Sequence, residues 1–68
     1  MPKAARVLAA LKRDGWVQVR RKGSHRRLVK GGRSGTFAFH DARDLGTVEL
    51  AQIAHEFGYT LDELRKIL

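Results

Sequence analysis

The 68-residue sequence predicts an α+β fold, a two-layer α-β-β-β-α sandwich with a three-stranded antiparallel sheet and its helices on one face. Three observations lead to this prediction. Apolar residues recur at helical spacing near the start, three runs of β-forming residues follow, and helical spacing returns in the last third. A chain this short has room for one hydrophobic core, so we expect residues 1–68 to form a single domain.

The first helix is predicted over residues 3–14. Its apolar stripe consists of Ala4, Val7, Leu8 and Leu11. These residues recur at helical spacing and share one face, which we expect to pack against the sheet. Gly15 follows directly and favours the end of the helix.

Three strands are predicted over residues 16–21, 25–30 and 36–40, because these runs are rich in β-formers and partly alternate. Lys22-Gly23-Ser24 predicts a tight hairpin turn, and the glycine-rich run 31–35 predicts a second one. A phosphate-binding loop is a weaker interpretation of that run, which lacks the required spacing. The face of the sheet away from the helices has no obvious cover, so it must meet solvent or a ligand.

The register of the second hairpin decides where the histidines lie. A four-residue turn opposes Leu28 to Phe37 and sets His25 directly across from His40. The alternative register opposes Arg27 to His40. In both cases we expect the two imidazoles on the uncovered face.

A second helix is predicted from Thr47 to Phe57, where apolar residues again recur at helical spacing before Gly58. Thr60 and Glu63 have the spacing of a capping box, which predicts a short third helix over residues 61–68.

Positive charge is concentrated in one half of the chain. The net charge is +7; residues 1–33 carry eleven basic and one acidic side chain, and residues 34–68 carry three basic and six acidic ones. Such a patch attracts polyanions, because each neutralised phosphate releases condensed counterions. Nucleic acid is the expected partner, with an acidic protein as the alternative.

Several classes of protein are not expected. The longest early apolar stretch, residues 7–11, is far too short to cross a membrane. There is no cysteine, which excludes disulfides and thiolate metal sites, and the three histidines are spread over different elements. We therefore expect a cytoplasmic protein with no metal, no cofactor and no membrane partner.

The segment Arg20 to Arg27 (RRKGSHRR) combines crowded cations with a Gly-Ser-His tip. Because like charges repel, an anionic ligand is expected to offset them. The predicted ligand-binding residues are Arg20, Lys22, Gly23, Arg26 and Arg27. The cations should also keep the His25 imidazole neutral and able to act as a general base toward the 2′-hydroxyl of RNA. The alternative is that His25 is an ordinary surface residue.

Further motifs appear in a fixed order along the chain. They are Gly15-Trp16, Lys22-Gly23-Ser24-His25, a strand ending in His40, Leu45-Gly46-Thr47, Ile53 and Phe57-Gly58. This order resembles the HicA family of toxin–antitoxin mRNA interferases over nearly the whole chain. Ala38 departs from the pattern, since family members usually have a proline there.

The resemblance implies a fold similar to the double-stranded-RNA-binding domain, cleavage of mRNA with His25 as the catalytic residue, and silencing by a HicB antitoxin. Ser24 is expected to help position the substrate, and His40 is a candidate second imidazole that protonates the leaving 5′ oxygen. A binding module of the same fold that grips RNA without cutting it is the main alternative. Trp16 could stack on a base, but a core position is favoured.

Overall fold

A computed structural model describes residues 1–68 and shows the predicted two-layer α+β architecture. The elements are α1 (Ala4–Arg13), β1 (Val17–Lys22), β2 (His25–Lys30), β3 (Arg33–Phe37), α2 (Thr47–Phe57) and α3 (Leu61–Ile67). The strands form one antiparallel sheet in the order β1-β2-β3. The helices cover one face and leave the other, here called the open face, without a covering element. No helix has both the length and the apolar character needed to cross a membrane.

The helices lie almost where the spacing predicts them. The stripe of α1 is buried against the sheet, and Gly15 follows the helix with φ of 105°. No side chain caps the first turn of α1. The loop before α2 does so instead, because the carbonyls of Arg43 and Asp41 accept hydrogen bonds from the amides of Ala4 and Ala5 at 2.8 and 3.1 Å. The capping box of α3 is present, with Thr60 and Glu63 bonded reciprocally.

Both hairpins have two-residue turns, and this overturns the predicted register of the second one. Lys22 pairs with His25 across Gly23-Ser24, and Lys30 pairs with Arg33 across Gly31-Gly32. In each turn the first glycine has a positive φ, about 60°, which suits a type II′ turn.

The strand β3 therefore begins and ends earlier than predicted. It opposes Leu28 to Gly35 and Arg27 to Thr36, so neither predicted pairing, of Leu28 with Phe37 or of Arg27 with His40, is correct. The predicted range was displaced because residues 33–35 look like turn formers in sequence, yet they pair with β2. Phe37 is fully buried, while Phe39 is only partly buried and lies beyond the strand.

A β-bulge interrupts the pairing of β1 with β2. Gln18 opposes Leu28, but Arg20 opposes Arg27, so Val19 is an extra residue in β1. An extra residue inverts the alternation of all side chains that follow it. The bulge thereby turns Arg20 and Lys22 to the open face.

The buried core lies between the helices and the covered face of the sheet. It contains thirteen apolar residues drawn from all three helices, from β2 and β3, and from the connecting segments. Gly35 and Phe57 meet there, and a Cβ atom at Gly35 would lie only 2.7 Å from the Phe57 ring. The Phe57 ring also packs edge-on against Trp16, with 4.8 Å between ring centroids.

Trp16 is buried, which confirms the core interpretation, and its indole starts a chain of hydrogen bonds. Its Nε1 donates to the Tyr59 hydroxyl at 2.9 Å, and that hydroxyl donates to Asp14, which also accepts from Lys30. Burial and the bond to Asp14 raise the pKa of Tyr59 to about 12. The bonds from Tyr59 and then Lys30 lower the pKa of Asp14. This chain of hydrogen bonds ties the ends of α1 and β2 to the segment before α3.

The raised pKa of Tyr59 predicts a specific loss of stability in alkali. The Tyr59 phenol holds its proton more tightly in the folded state than in the unfolded state. Its contribution to stability is therefore full below the unfolded pKa of 10.0 and is lost as the pH rises through about 12. We expect the difference in unfolding free energy between the wild type and Tyr59→Phe to shrink across this window. Urea unfolding at a series of pH values measures it, and parallel curves for the two proteins would contradict the assignment.

Candidate active site on the open face of the sheet

The open face carries a shallow concavity of about 490 Å³ with His25 in its wall. Its lining residues are Arg20, Lys22, His25, Arg27 and Thr36. They come from all three strands, and none of them is apolar or acidic. The concavity is a cationic surface with one imidazole.

His25 is placed by the first hairpin. It is the first residue of β2, it pairs with Lys22 at the end of β1, and its side chain is exposed. The turn between them is stiffened by Arg21, whose Nε donates to the Gly23 carbonyl at 2.8 Å. Because the turn has only two residues, the imidazole and the Lys22 ammonium are held on neighbouring strands at the same edge of the concavity.

The cations of this concavity have no acidic partner. The ion pairs of the protein involve Lys3, Arg26, Lys30 and Arg43. Arg20, Lys22 and Arg27 form none. Arg27 donates from Nη1 to the Thr36 hydroxyl at 3.1 Å, which orients its guanidinium within the concavity. Three unpaired cations on one surface create a positive potential that favours a polyanionic ligand.

Arg26 was predicted to bind the ligand together with Arg27, but it does not line this concavity. It alternates with His25 and Arg27 along β2, so its side chain points to the covered face, where it is only 5% exposed. Its Nη1 lies 2.9 Å from Oδ1 of Asp41. Strand alternation could have separated it from Arg27 in the sequence, because Arg26 directly follows His25, which was expected on the uncovered face.

His40 is also displaced from its predicted position, and its direct opposition to His25 is wrong. It lies three residues beyond the end of β3, because the tighter turn at Gly31-Gly32 moves the strand toward the N-terminus. It lines a second concavity of about 510 Å³ that also contains Arg21 and Arg26. Those side chains leave the sheet on the side opposite to His25, so the two imidazoles do not share a face.

The hairpin tip lies between the two concavities. Gly23 and Ser24 are the two turn residues, and both line the second concavity and not the first. A Cβ atom at Gly23 would have no neighbour within 4 Å, so the tip is open to a ligand passing over it. Thr36, which does line the first concavity, was not predicted, since no sequence signal shows which residue of β3 opposes Arg27.

The chemistry that this surface can perform follows from its side chains. An exposed imidazole can take up or release a proton, and the fixed cations can stabilise negative charge that develops on a bound group. No group of three or more His, Asp or Glu side chains converges in the structure. The arrangement suits proton transfer on an anionic substrate.

Fold and surface together define a class of protein: a small basic α+β domain that exposes one histidine on an open, cation-lined sheet. The chain belongs to the family described as the HicA toxin of bacterial toxin–antitoxin systems, whose family model matches residues 4–59. This range includes all three strands and both concavities. Membership gives the chain a toxin role and implies an antitoxin as its partner. Searches of curated proteins and of solved structures gave no significant match.

Proposed function

We propose that the protein is a metal-independent endoribonuclease that cleaves mRNA with His25. The observation that carries this proposal is the position of His25 on the open face, between the unpaired cations Arg20, Lys22 and Arg27. RNA supplies the remaining chemistry, because each scissile phosphate has a 2′-hydroxyl beside it. Membership in the HicA toxin family supports the same function, since destroying mRNA is an effective way to stop growth.

In the proposed reaction the His25 imidazole accepts the proton of the 2′-hydroxyl, and the 2′ oxygen forms a bond to the adjacent phosphorus. The bond between phosphorus and the 5′ oxygen breaks, and the leaving oxygen keeps the electron pair and takes a proton from water. The imidazolium returns its proton to the hydroxide so formed. One product ends in a 2′,3′-cyclic phosphate and the other begins with a 5′-hydroxyl.

The cations have separate tasks in this reaction. Arg27 is held by Thr36 and can bind a phosphate oxygen in a fixed orientation. Lys22 pairs with His25 across the hairpin, so its ammonium is suited to stabilise the negative charge that develops at phosphorus. Arg20 extends the positive surface along β1 and is placed to bind a neighbouring phosphate.

The test is cleavage of single-stranded RNA by the purified protein with excess EDTA present. We expect cleavage to continue in EDTA and to fail on an otherwise identical RNA with a 2′-deoxy sugar at the cut site. Strong inhibition by EDTA would indicate a metal nuclease instead. Binding of RNA without any cleavage would support the alternative, a non-catalytic RNA-binding module of the same fold.

The antitoxin partner is proposed to be a HicB-like protein that covers the open face. An inhibitor that competes with RNA for this surface must offset the same unpaired cations, so acidic side chains should face Arg20, Lys22 and Arg27. In a complex with the antitoxin, His25 should be inaccessible to solvent.

A further inference from the structure

The second concavity, on the other side of the hairpin, has the composition of an anion site. Besides Arg21 and Arg26 it is lined by Ser24 and His40, and its one acidic residue is Asp41. Arg21 uses Nε for the bond to Gly23, which leaves its terminal nitrogens free. No hydrogen bond occupies the Ser24 hydroxyl or the His40 ring. Donors therefore outnumber acceptors in this concavity.

The buried guanidinium of Arg26 has an unused donor. Its side chain is 5% exposed, and its Nη1 is buried without a hydrogen-bond partner although Oδ1 of Asp41 lies 2.9 Å away. The two groups thus form a close ion pair that is not aligned as a hydrogen bond. Leaving a buried, charged N–H group without an aligned acceptor costs free energy. A ligand oxygen that accepts a hydrogen bond from this group would recover most of that free energy.

The carboxylate of Asp41 can move away from Arg26 while the backbone of Asp41 stays in place. Its side chain is 60% exposed, whereas its carbonyl accepts a hydrogen bond from the Ala5 amide at the start of α1. Rotation of the side chain into water would free the Arg26 guanidinium without moving the loop. In this view the carboxylate of Asp41 occupies a position that an incoming anion can take.

We propose that this concavity is a second phosphate subsite for RNA, which binds a phosphodiester next to the one that His25 cleaves. The inference rests on the proposed function. Arg21, Arg26, His40 and the Ser24 hydroxyl would bind the phosphate after it displaces Asp41. Adjacent residues of the hairpin point to opposite faces, so the RNA passes over the tip at Gly23, where no side chain is in its way.

The experiment measures binding of single-stranded RNA, as a function of salt, by a parent protein carrying His25→Ala to prevent cleavage. Adding Asp41→Asn should tighten binding roughly fivefold, because the competing negative charge is removed. Adding Arg21→Ala should weaken binding roughly fivefold and lower the slope of log affinity against log salt by about 0.7, the value for one phosphate contact on a single strand.

Matched variants control for net charge. Asp62→Asn and Arg65→Ala make the same charge changes on α3, and both should leave affinity almost unchanged. Arg27→Ala tests the first concavity and should weaken binding whatever happens at the second. Circular dichroism checks that each variant is folded. Opposite effects of Asp41→Asn and Arg21→Ala cannot both result from general loss of structure.

The outcomes separate the two proposals. If Arg27→Ala weakens binding but Asp41→Asn and Arg21→Ala match their controls, the second subsite is wrong and the proposed function stands. Weaker binding by Asp41→Asn would also overturn the subsite, since it would mean that the carboxylate contacts the RNA favourably. If the parent protein binds no RNA even at low salt, the proposed function fails, and the subsite fails with it.

Discussion

Replacement of His25 by alanine is expected to lower the rate of RNA cleavage by about 10²–10⁴, the usual contribution of a positioned general base. The fold and the affinity for RNA should change little. The His25 side chain is exposed and makes no hydrogen bond, so its removal exposes no core and leaves no partner unsatisfied. The cations that bind phosphate, Arg20, Lys22 and Arg27, all remain.

Single-turnover cleavage with protein in excess over RNA measures the chemical step without contributions from binding or product release. The matched control is His55→Ala, which removes the exposed histidine of α2 and should cleave at the wild-type rate. A His25→Ala protein that cleaves nearly as fast as the wild type would refute the assignment of the general base. Loss of RNA binding together with cleavage would contradict the expected unchanged affinity and would show that His25 helps to hold the substrate.

Gly35→Ala adds only one methyl group but is expected to lower the stability of the fold strongly. The added Cβ atom would lie 2.7 and 2.9 Å from two carbons of the Phe57 ring, closer than carbon atoms can approach. Crowding of this kind in a packed core costs about 1–3 kcal/mol. A domain of this length is stable by only about 3–10 kcal/mol, so the loss is a substantial fraction of the total.

Thermal and urea unfolding measure this loss. Gly32→Ala is the matched control, because Gly32 lies in the second hairpin turn with a negative φ and with open space around its Cβ position. It should cost far less. In a Phe57→Leu background the cost of Gly35→Ala should fall, because the smaller side chain leaves room for the added methyl group. Equal costs in both backgrounds would show that the ring is not the cause.

Gly35 also shows where sequence reasoning about the sheet failed. A glycine beside Ser34 in a glycine-rich run is typical of a turn, and the sequence contains no sign that an aromatic ring from α2 packs on it. In the structure Gly35 is a strand residue that packs against the Phe57 ring. Only glycine lets the ring approach the backbone so closely. The whole of β3 and the register with β2 shift as a result.

The candidate site was predicted in part from the sequence. The hairpin, its Gly-Ser tip and the exposed position of His25 follow from short-range patterns and agree with the structure. The position of His40 depends on where β3 ends, and its predicted opposition to His25 is wrong. The outcome is a site with His25 on one face of the hairpin and His40 on the other.

The sequence by itself determined the helices, the order of the strands, the concentration of positive charge in one hairpin and the resemblance to the HicA family. These features depend on residue spacing and composition within a few turns or strands. Tertiary structure alone decided which side chains share a face. The bulge at Val19 turned Arg20 and Lys22 toward His25. The tighter second turn makes β3 end at Phe37, so His40 lies beyond the strand. Side chains alternate with a period of two, so one extra residue inverts every face that follows it. Only packing of the whole sheet against its helices decides where a bulge forms and where a strand ends.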